Sequence, residues 1–162
     1  MAEARTRSIP NYEGHLCAGH LLIWTWRKMV GGHGECPVLA REYDRFAGDA
    51  ADALLAAFAT FLLLLGRGSR RVLSVGPPHG AGLTADEERM LRLIAAAQTG
   101  ERVLAAAHLT WLVRRDAQDG VMETVEKLAE ALMKAGVILP PVRTCTPAPS
   151  ATLDRMSAQG WI

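Results

Sequence analysis

The stretch from His15 to Cys36 concentrates side chains that could bind a metal ion. Cys17 and His20 are followed, after twelve intervening residues, by His33 and Cys36. Thiolate and imidazole groups are ligands that zinc accepts, and four of them complete a tetrahedral structural site. Imidazole and thiolate can also ligate haem iron. These residues therefore define one hypothesis for the chain, a zinc or haem site built from Cys17, His20, His33 and Cys36.

The element that must position these ligands argues against that site. Residues 15–30 lack proline and contain one glycine, which predicts a helix that stops at Gly31 and Gly32. In such a helix Val30 lies about 15 Å from His20 at 1.5 Å per residue. The three residues from Val30 to His33 can span only about 10 Å. Cys17 and His20 share a face, but His15 points about 140° away from His20. We therefore favour a helix and exit loop without a ligand, with the four-residue site as the alternative.

The predicted helix has two chemically different sides. Leu22 and Trp26 lie on one side and should face the core. The other side places an indole beside cations, a combination that fits either a solvated face or a contact surface for another chain. We predict partner-binding residues there and in the C-terminal tail: Trp24, Arg27, Lys28 and Trp161.

Two further histidines are candidates for chemistry. His79 lies in the turn sequence "GPPHGAG" before a helix start, and a rigid turn with a solvated histidine is the favoured explanation. If the chain has an active site, the free backbone N–H groups at that helix start make His79 the first candidate. His108, between Leu104 and Trp111, could ligate a metal or haem, but a core histidine bonded to a carbonyl is the commoner case. No Ser/His/Asp or Cys/His arrangement can be identified, so we favour a protein without enzymatic activity.

Arginines cluster in two places, residues 67–71 and 114–115. They could form one basic patch, or they could complement the dipoles at helix C-terminal ends, and their positions favour the second interpretation. The predicted helices 85–98 and 101–115 resemble a helix-turn-helix in order only, because "ERVLAAAHLTWLVRR" offers few side chains that reach base edges. With a net charge of +1, no nucleic-acid partner is expected.

The remaining pattern is helical. Pro37 suits the first position of a second helix. Asp49 should cap a long helix, residues 49–65, whose second half is apolar all round, as expected of a central helix surrounded by others. Thr84 and Glu87 form a capping box before helix 85–98. The last helix begins at Asp119 and Gly120, and Gly136 can adopt a left-handed cap. Only residues 70–75, "RRVLSV", are predicted to form a short extended segment.

Length and composition agree with one folded domain. The 162 residues are 49% hydrophobic and 22% charged, values typical of globular proteins. We predict an all-α, single-domain bundle of five or six helices around a buried apolar central helix. The helical domain spans residues 12–139, with a flexible N-terminus at 1–11 and a mobile Pro/Ser/Thr-rich tail at 140–162.

Three isolated cysteines and the lack of a signal-peptide pattern predict a cytoplasmic protein with reduced thiols. The apolar run at 53–65 is shorter than the roughly 20 residues of a membrane span, so no transmembrane span is expected.

The sequence also resembles a family of proteins. "WRKMVGGHG", a long apolar helix, "LTADEERMLRLIAAAQ" and a final amphipathic helix are similar to short all-helical bacterial proteins of an uncharacterised family, over residues 20–139. The resemblance implies a helical fold and no particular activity. We therefore predict an adaptor or regulator that acts through protein contacts and self-associates, with a metal- or haem-binding protein as the alternative.

Overall fold

The computed structural model describes residues 18–140, and this range contains six α-helices. They are α1 (Ala18–Val30), α2 (Pro37–Ala47), α3 (Ala51–Gly68), α4 (Ala85–Gln98), α5 (Arg102–Leu112) and α6 (Gln118–Lys134). Short 3₁₀ helices at Gly48–Ala50 and Arg115–Ala117 precede α3 and α6. The predicted all-α single-domain bundle is confirmed. The predictions for the N-terminal segment, for Cys17 and Trp161, and for the tail from residue 141 onwards lie outside the described residues.

The core forms where α3 and α6 pack against each other and where α4 packs against α5 and α6. α3 contributes Leu54, Phe58 and Phe61, all of which are buried. α6 contributes the apolar stripe predicted from its 3.6-residue period, with Val125 and Leu128 fully buried. Burying these faces together is what holds helices that would be marginal alone.

α1 is one unbroken helix through Trp24 and Trp26, and it ends at Val30 as the following glycines predict. Gly32 has a φ of 78°, a conformation that favours glycine. α1 is joined to α2 by the buried hydroxyl pair of Thr25 and Tyr43, whose oxygens lie 3.0 Å apart. Thr25 also donates to the carbonyl of Leu21 at 2.7 Å.

α3 departs from its prediction at both ends and on one side. It begins at Ala51, with no side-chain cap from Asp49, and it continues through Gly66 to Gly68. It is also buried on one side rather than all round, since Leu63 is 53% exposed. The apolar residues all round its second half indicated complete burial, but one side of α3 faces solvent while the other packs in the core.

By length and composition alone, one helical stretch within the described range, Pro37–Gly68, would qualify to cross a membrane, with a mean hydropathy of 1.7. A third of its most apolar window, 33%, is buried inside the bundle. The core helix of a globular protein passes the same test, and α3 supplies the core side chains described above.

The ends of α4 and α6 follow the predicted capping chemistry. Thr84 Oγ1 accepts a hydrogen bond from the N–H of Glu87, whose carboxylate accepts one from the N–H of Thr84, so the capping box is confirmed. Gly136 has a φ of 75°, and the N–H of Val137 returns to the carbonyl of Leu132 at 2.8 Å.

Residues 69–84 connect α3 to α4 without regular structure and pass close to the end of α5. Ser69 and Val113 form an isolated antiparallel bridge. On either side of it, the N–H of Arg70 donates to Leu112 at 3.1 Å and the N–H of Arg114 donates to Gly68 at 2.8 Å.

Candidate functional site

The most elaborate polar arrangement in the described chain joins α1, the 76–82 loop and the start of α4. Arg27 of α1 donates from Nε to Glu87 Oε1 at 2.7 Å and from Nη2 to Oε2 at 2.8 Å. The Arg27 and Glu87 side chains are 6% and 0% exposed, respectively. The same guanidinium donates to the carbonyls of Gly80 and Gly82 at 2.8 and 2.6 Å. We call this group the Arg27 clamp.

Glu87 is the acceptor at the centre of the clamp. Besides Arg27, it accepts from the backbone N–H groups of Gly76 and Thr84 at 2.9 and 2.8 Å. Burial alone would raise the pKa of Glu87, but these hydrogen bonds and the charge of Arg27 outweigh burial and place the pKa below its ordinary value. The carboxylate is therefore ionised, and it holds the loop against the helix.

A second ion pair fixes the chain just before this loop. Arg71 makes a bidentate contact with Asp86 at 2.7 Å through both terminal nitrogens. The N–H of Ser74 also donates to Asp86, at 2.8 Å. The hydrogen bonds from Arg71 lower the pKa of Asp86, against an opposing effect of burial. The start of α4 thus uses two adjacent carboxylates to anchor two separate stretches of the connection.

The clamp is a structural device. In residues 18–140 every buried side-chain nitrogen or oxygen has a hydrogen-bond partner, and those of Arg27 and Glu87 are matched to each other and to the backbone. This corrects the prediction that Arg27 lies on a partner-binding face. Its guanidinium turns inward because Glu87 and two loop carbonyls offer a full set of acceptors.

The other predicted partner-binding residues of α1 lie nearer the surface. Trp24 and Lys28 are partly exposed, and the Lys28 ammonium lies 5.5 Å from the centre of the Trp24 ring. This cation–π contact occupies one side of the indole. Trp161, the fourth predicted residue, lies outside the described range.

The described residues do not bring together the predicted metal ligands. Within residues 18–140 no group of three or more His, Cys, Asp or Glu side chains could hold a metal ion, and Cys17 lies outside that range. Because α1 is unbroken, His20 lies about 15 Å from the helix end at Val30. His33 is exposed in the exit loop, and Cys36 precedes α2.

Cys36 has an unusual environment of its own. The backbone N–H groups of Leu39 and Val38 lower the pKa of its thiol, opposed by burial and assisted by the charge of Lys28.

His79 is exposed at the tip of the 76–82 loop, as a solvated turn predicts.

α5 presents the most exposed apolar side among the described helices. Val103 is 88% exposed, Trp111 is 61% exposed and Leu104 is 45% exposed. Ala107 lies between them, so Val103, Ala107 and Trp111 follow the i, i+4, i+8 spacing of one helix face. We call these four residues the α5 surface. The opposite side of α5, with Ala105, Leu109 and Leu112, is buried.

Cations of α4 border the α5 surface. The Arg89 guanidinium lies 4.7 Å from the centre of the Trp111 ring. His108, on the same edge of α5, is partly buried, and its pKa is lowered by burial and by the charges of Arg92 and Arg89. His108 was predicted to be a core histidine or a ligand, whereas it lies beside the exposed Leu104 and Trp111.

Sequence reasoning missed the α5 surface although a signal was present. Both sides of α5 are apolar, and a helix at the edge of a bundle can bury only one of them. The Arg27 clamp had no comparable signal, because its two charges are 60 residues apart.

Comparisons with known proteins identify no relative. The chain matches no family model, and neither a curated protein nor a solved structure is significantly similar to it.

Proposed function

We propose that the protein is a non-enzymatic interaction module that binds a partner through the α5 surface. The observation that carries the proposal is the exposure of Val103 and Trp111 on the same face of a helix whose other face is buried. Large exposed apolar patches on small domains commonly mark contact sites.

The composition of the α5 surface supports this assignment. Tryptophan and arginine are the residues most enriched among those that dominate interface energetics. Arg89 already lies over one face of the Trp111 ring, which holds the indole in place before binding. A side chain that is ordered in advance loses less entropy when a partner arrives.

The charges beside the α5 surface indicate what kind of partner fits. Arg89 and Arg92 border it, and Arg92 is already paired with Glu88, so the charge of Arg89 is the less compensated of the two. The carboxylate nearest to Arg89 is that of Asp86, whose Oδ1 lies 3.9 Å from Arg89 Nη1. This carboxylate is already hydrogen-bonded to Arg71. An amphipathic helix with an apolar stripe and flanking acidic residues complements this combination. We therefore assign an acidic amphipathic segment of another protein as the occupant.

Photo-crosslinking tests the proposal directly. A benzoylphenylalanine at Val103, introduced in the native cells, should capture a protein whose cross-linked peptide is an acidic amphipathic segment. The purified partner should then bind Trp111→Ser at least about tenfold more weakly than the wild type, as expected for a dominant interface tryptophan. Higher salt should also weaken binding, since charge complementarity contributes.

Leu63→Ser is the matched control, because Leu63 is a comparably exposed apolar residue on α3. It should leave the affinity unchanged. Equal losses for both variants would contradict the proposal. So would a cross-link to a second copy of this chain, which would favour self-association, or the absence of any cross-link.

A further inference from the structure

Three arginines from two distant stretches of the sequence line one open cleft at the end of α5. The cleft has a volume of about 610 Å³ and is lined by Arg70, Thr110, Val113, Arg114, Arg115 and Gln118. Sequence reasoning placed Arg70 and the pair Arg114–Arg115 in two separate groups and favoured helix-end roles for both. The fold brings members of the two groups together.

The backbone holds these arginines in position. Arg70 and Arg114 directly follow the bridged residues Ser69 and Val113. Their N–H groups donate across the pairing, to Leu112 and Gly68 respectively. Arg70 Nη1 also donates to the carbonyl of Thr110 at 2.8 Å, which directs this side chain towards α5. The cleft is therefore built on a fixed backbone pairing rather than on a free loop.

The charge in the cleft is not balanced by its own lining. No carboxylate is among the described residues that line it. Arg114 contacts Asp116 through a single exposed pair, with Nε 3.3 Å from Oδ1. Arg70 donates to a neutral carbonyl, that of Thr110, and Arg115 has no ion pair among the salt bridges of residues 18–140. Converging cations with so little compensation create a positive potential that attracts anions.

We propose that this cleft binds a small polyphosphate anion, a role that goes beyond the proposed partner binding. Guanidinium groups recognise phosphate oxygens through paired, charge-assisted hydrogen bonds. The volume falls within the range of about 300–1,000 Å³ that is usual for small-molecule sites. Among the described residues no aromatic side chain lines the cleft, so none of its lining would stack on a nucleobase. The phosphate chain, rather than a base, is the group recognised.

Calorimetric titration of the full chain with inorganic tripolyphosphate at constant ionic strength tests this site. Tripolyphosphate should bind with one-to-one stoichiometry, and sulfate should bind at least about tenfold more weakly because it offers fewer charges to three guanidinium groups. Arg115→Gln and Arg70→Gln should each weaken tripolyphosphate binding about tenfold. Arg41→Gln removes the same charge from an exposed position of α2 that does not line the cleft, and it should have no effect.

The substituted side chains are exposed, so the far-UV circular dichroism spectra should match that of the wild type. ATP should bind with an affinity similar to that of tripolyphosphate, and a much tighter ATP complex would overturn the assignment to the phosphate chain alone. Equal binding of sulfate and tripolyphosphate would overturn the proposal without any variant. Equal weakening by Arg41→Gln would do the same, because it would indicate a response to net charge.

Discussion

At the scale of single residues, Glu87 has more partners than a capping residue needs. A capping box requires one hydrogen bond to its carboxylate, from the N–H of Thr84. Glu87 accepts three more, two from Arg27 and one from Gly76. The side chain that starts α4 therefore also closes a 60-residue loop between α1 and α4. Its removal should affect three segments at once.

We expect Glu87→Gln to lower the free energy of unfolding by about 3 kcal/mol, the usual cost of leaving a buried ion-pair partner uncompensated. Arg27 would keep its charge at 6% exposure without a carboxylate. Urea denaturation measures the loss. Glu88→Gln on the same turn is the control, since Glu88 pairs with Arg92 at the surface and should contribute little. Similar losses for both variants would argue against the clamp.

Replacing both charges by apolar side chains should not restore stability. Such replacements often succeed for buried pairs. Here the N–H groups of Gly76 and Thr84 and the carbonyls of Gly80 and Gly82 would all lose their partners. We expect Arg27→Met with Glu87→Leu to be no more stable than Glu87→Gln in the same urea titration. Recovery to the wild-type midpoint would show that the backbone contacts matter little.

The sequence predicts the local half of this residue-scale chemistry. Thr84 and Glu87 are three positions apart, so their reciprocal cap follows from spacing alone. In the sequence Arg27 lies close to Trp24 and Lys28, which are partly exposed. The orientation of its side chain depends on where the 76–82 loop lies in three dimensions. That position follows from tertiary packing, which a helical period does not encode.

At the scale of elements, α3 approaches the start of α6 so closely that a glycine is required. A Cβ at Gly68 would lie 2.8 Å from the Cβ of Ala117 and 3.1 Å from Val113 Cγ1. Neither atom belongs to a flexible side-chain end. The contact joins the end of α3 to the bridge that also positions Arg70 and Arg114.

We expect Gly68→Ala to destabilise the protein by about 1–3 kcal/mol, because overpacking forces the two backbones apart. Gly66→Ala is a control with the opposite sign. Nothing lies within 4 Å of a Cβ at Gly66, and alanine is favoured over glycine in a helix interior by about 0.5–1 kcal/mol. Thermal unfolding of both variants measures the difference. A stabilised Gly68→Ala variant would contradict the close approach.

Most helix boundaries are predictable at this scale because they depend on local chemistry. Pro37 begins α2, and Gly136 ends the last helix in a left-handed conformation. The exceptions are informative. α3 continues through Gly66 to Gly68. α5 ends at Leu112 rather than at Arg115, because Val113 pairs with Ser69 in the isolated bridge. Tertiary pairing outweighs local preference at both places.

At the scale of the whole molecule, stability depends on pH through the two carboxylates that anchor the α3–α4 connection. Glu87 and Asp86 have pKa values below their ordinary values of 4.5 and 3.8. Their contribution to folding is fully present above those ordinary values. It is lost as the pH falls through the lower values of the folded state.

The denaturation midpoint should therefore fall steeply below a pH of about 4. Glu87→Gln should show a shallower acid dependence than the wild type, because it removes one of the two buried carboxylates with a lowered pKa. Urea titrations from neutral pH into this range measure both curves. Parallel curves for the variant and the wild type would show that the acid sensitivity arises elsewhere.

Gln98 fixes the exit of the chain from the bundle. Its side-chain amide donates to the carbonyl of Val137 at 2.8 Å, and its amide oxygen accepts from the N–H of Leu139 at 2.9 Å. Gln98 is the last residue of α4, four positions before α5 begins. A fluorophore attached at Pro140 would consequently be tethered beside the turn between α4 and α5, because Leu139 is held by the last residue of α4. Its emission would report on changes at that turn.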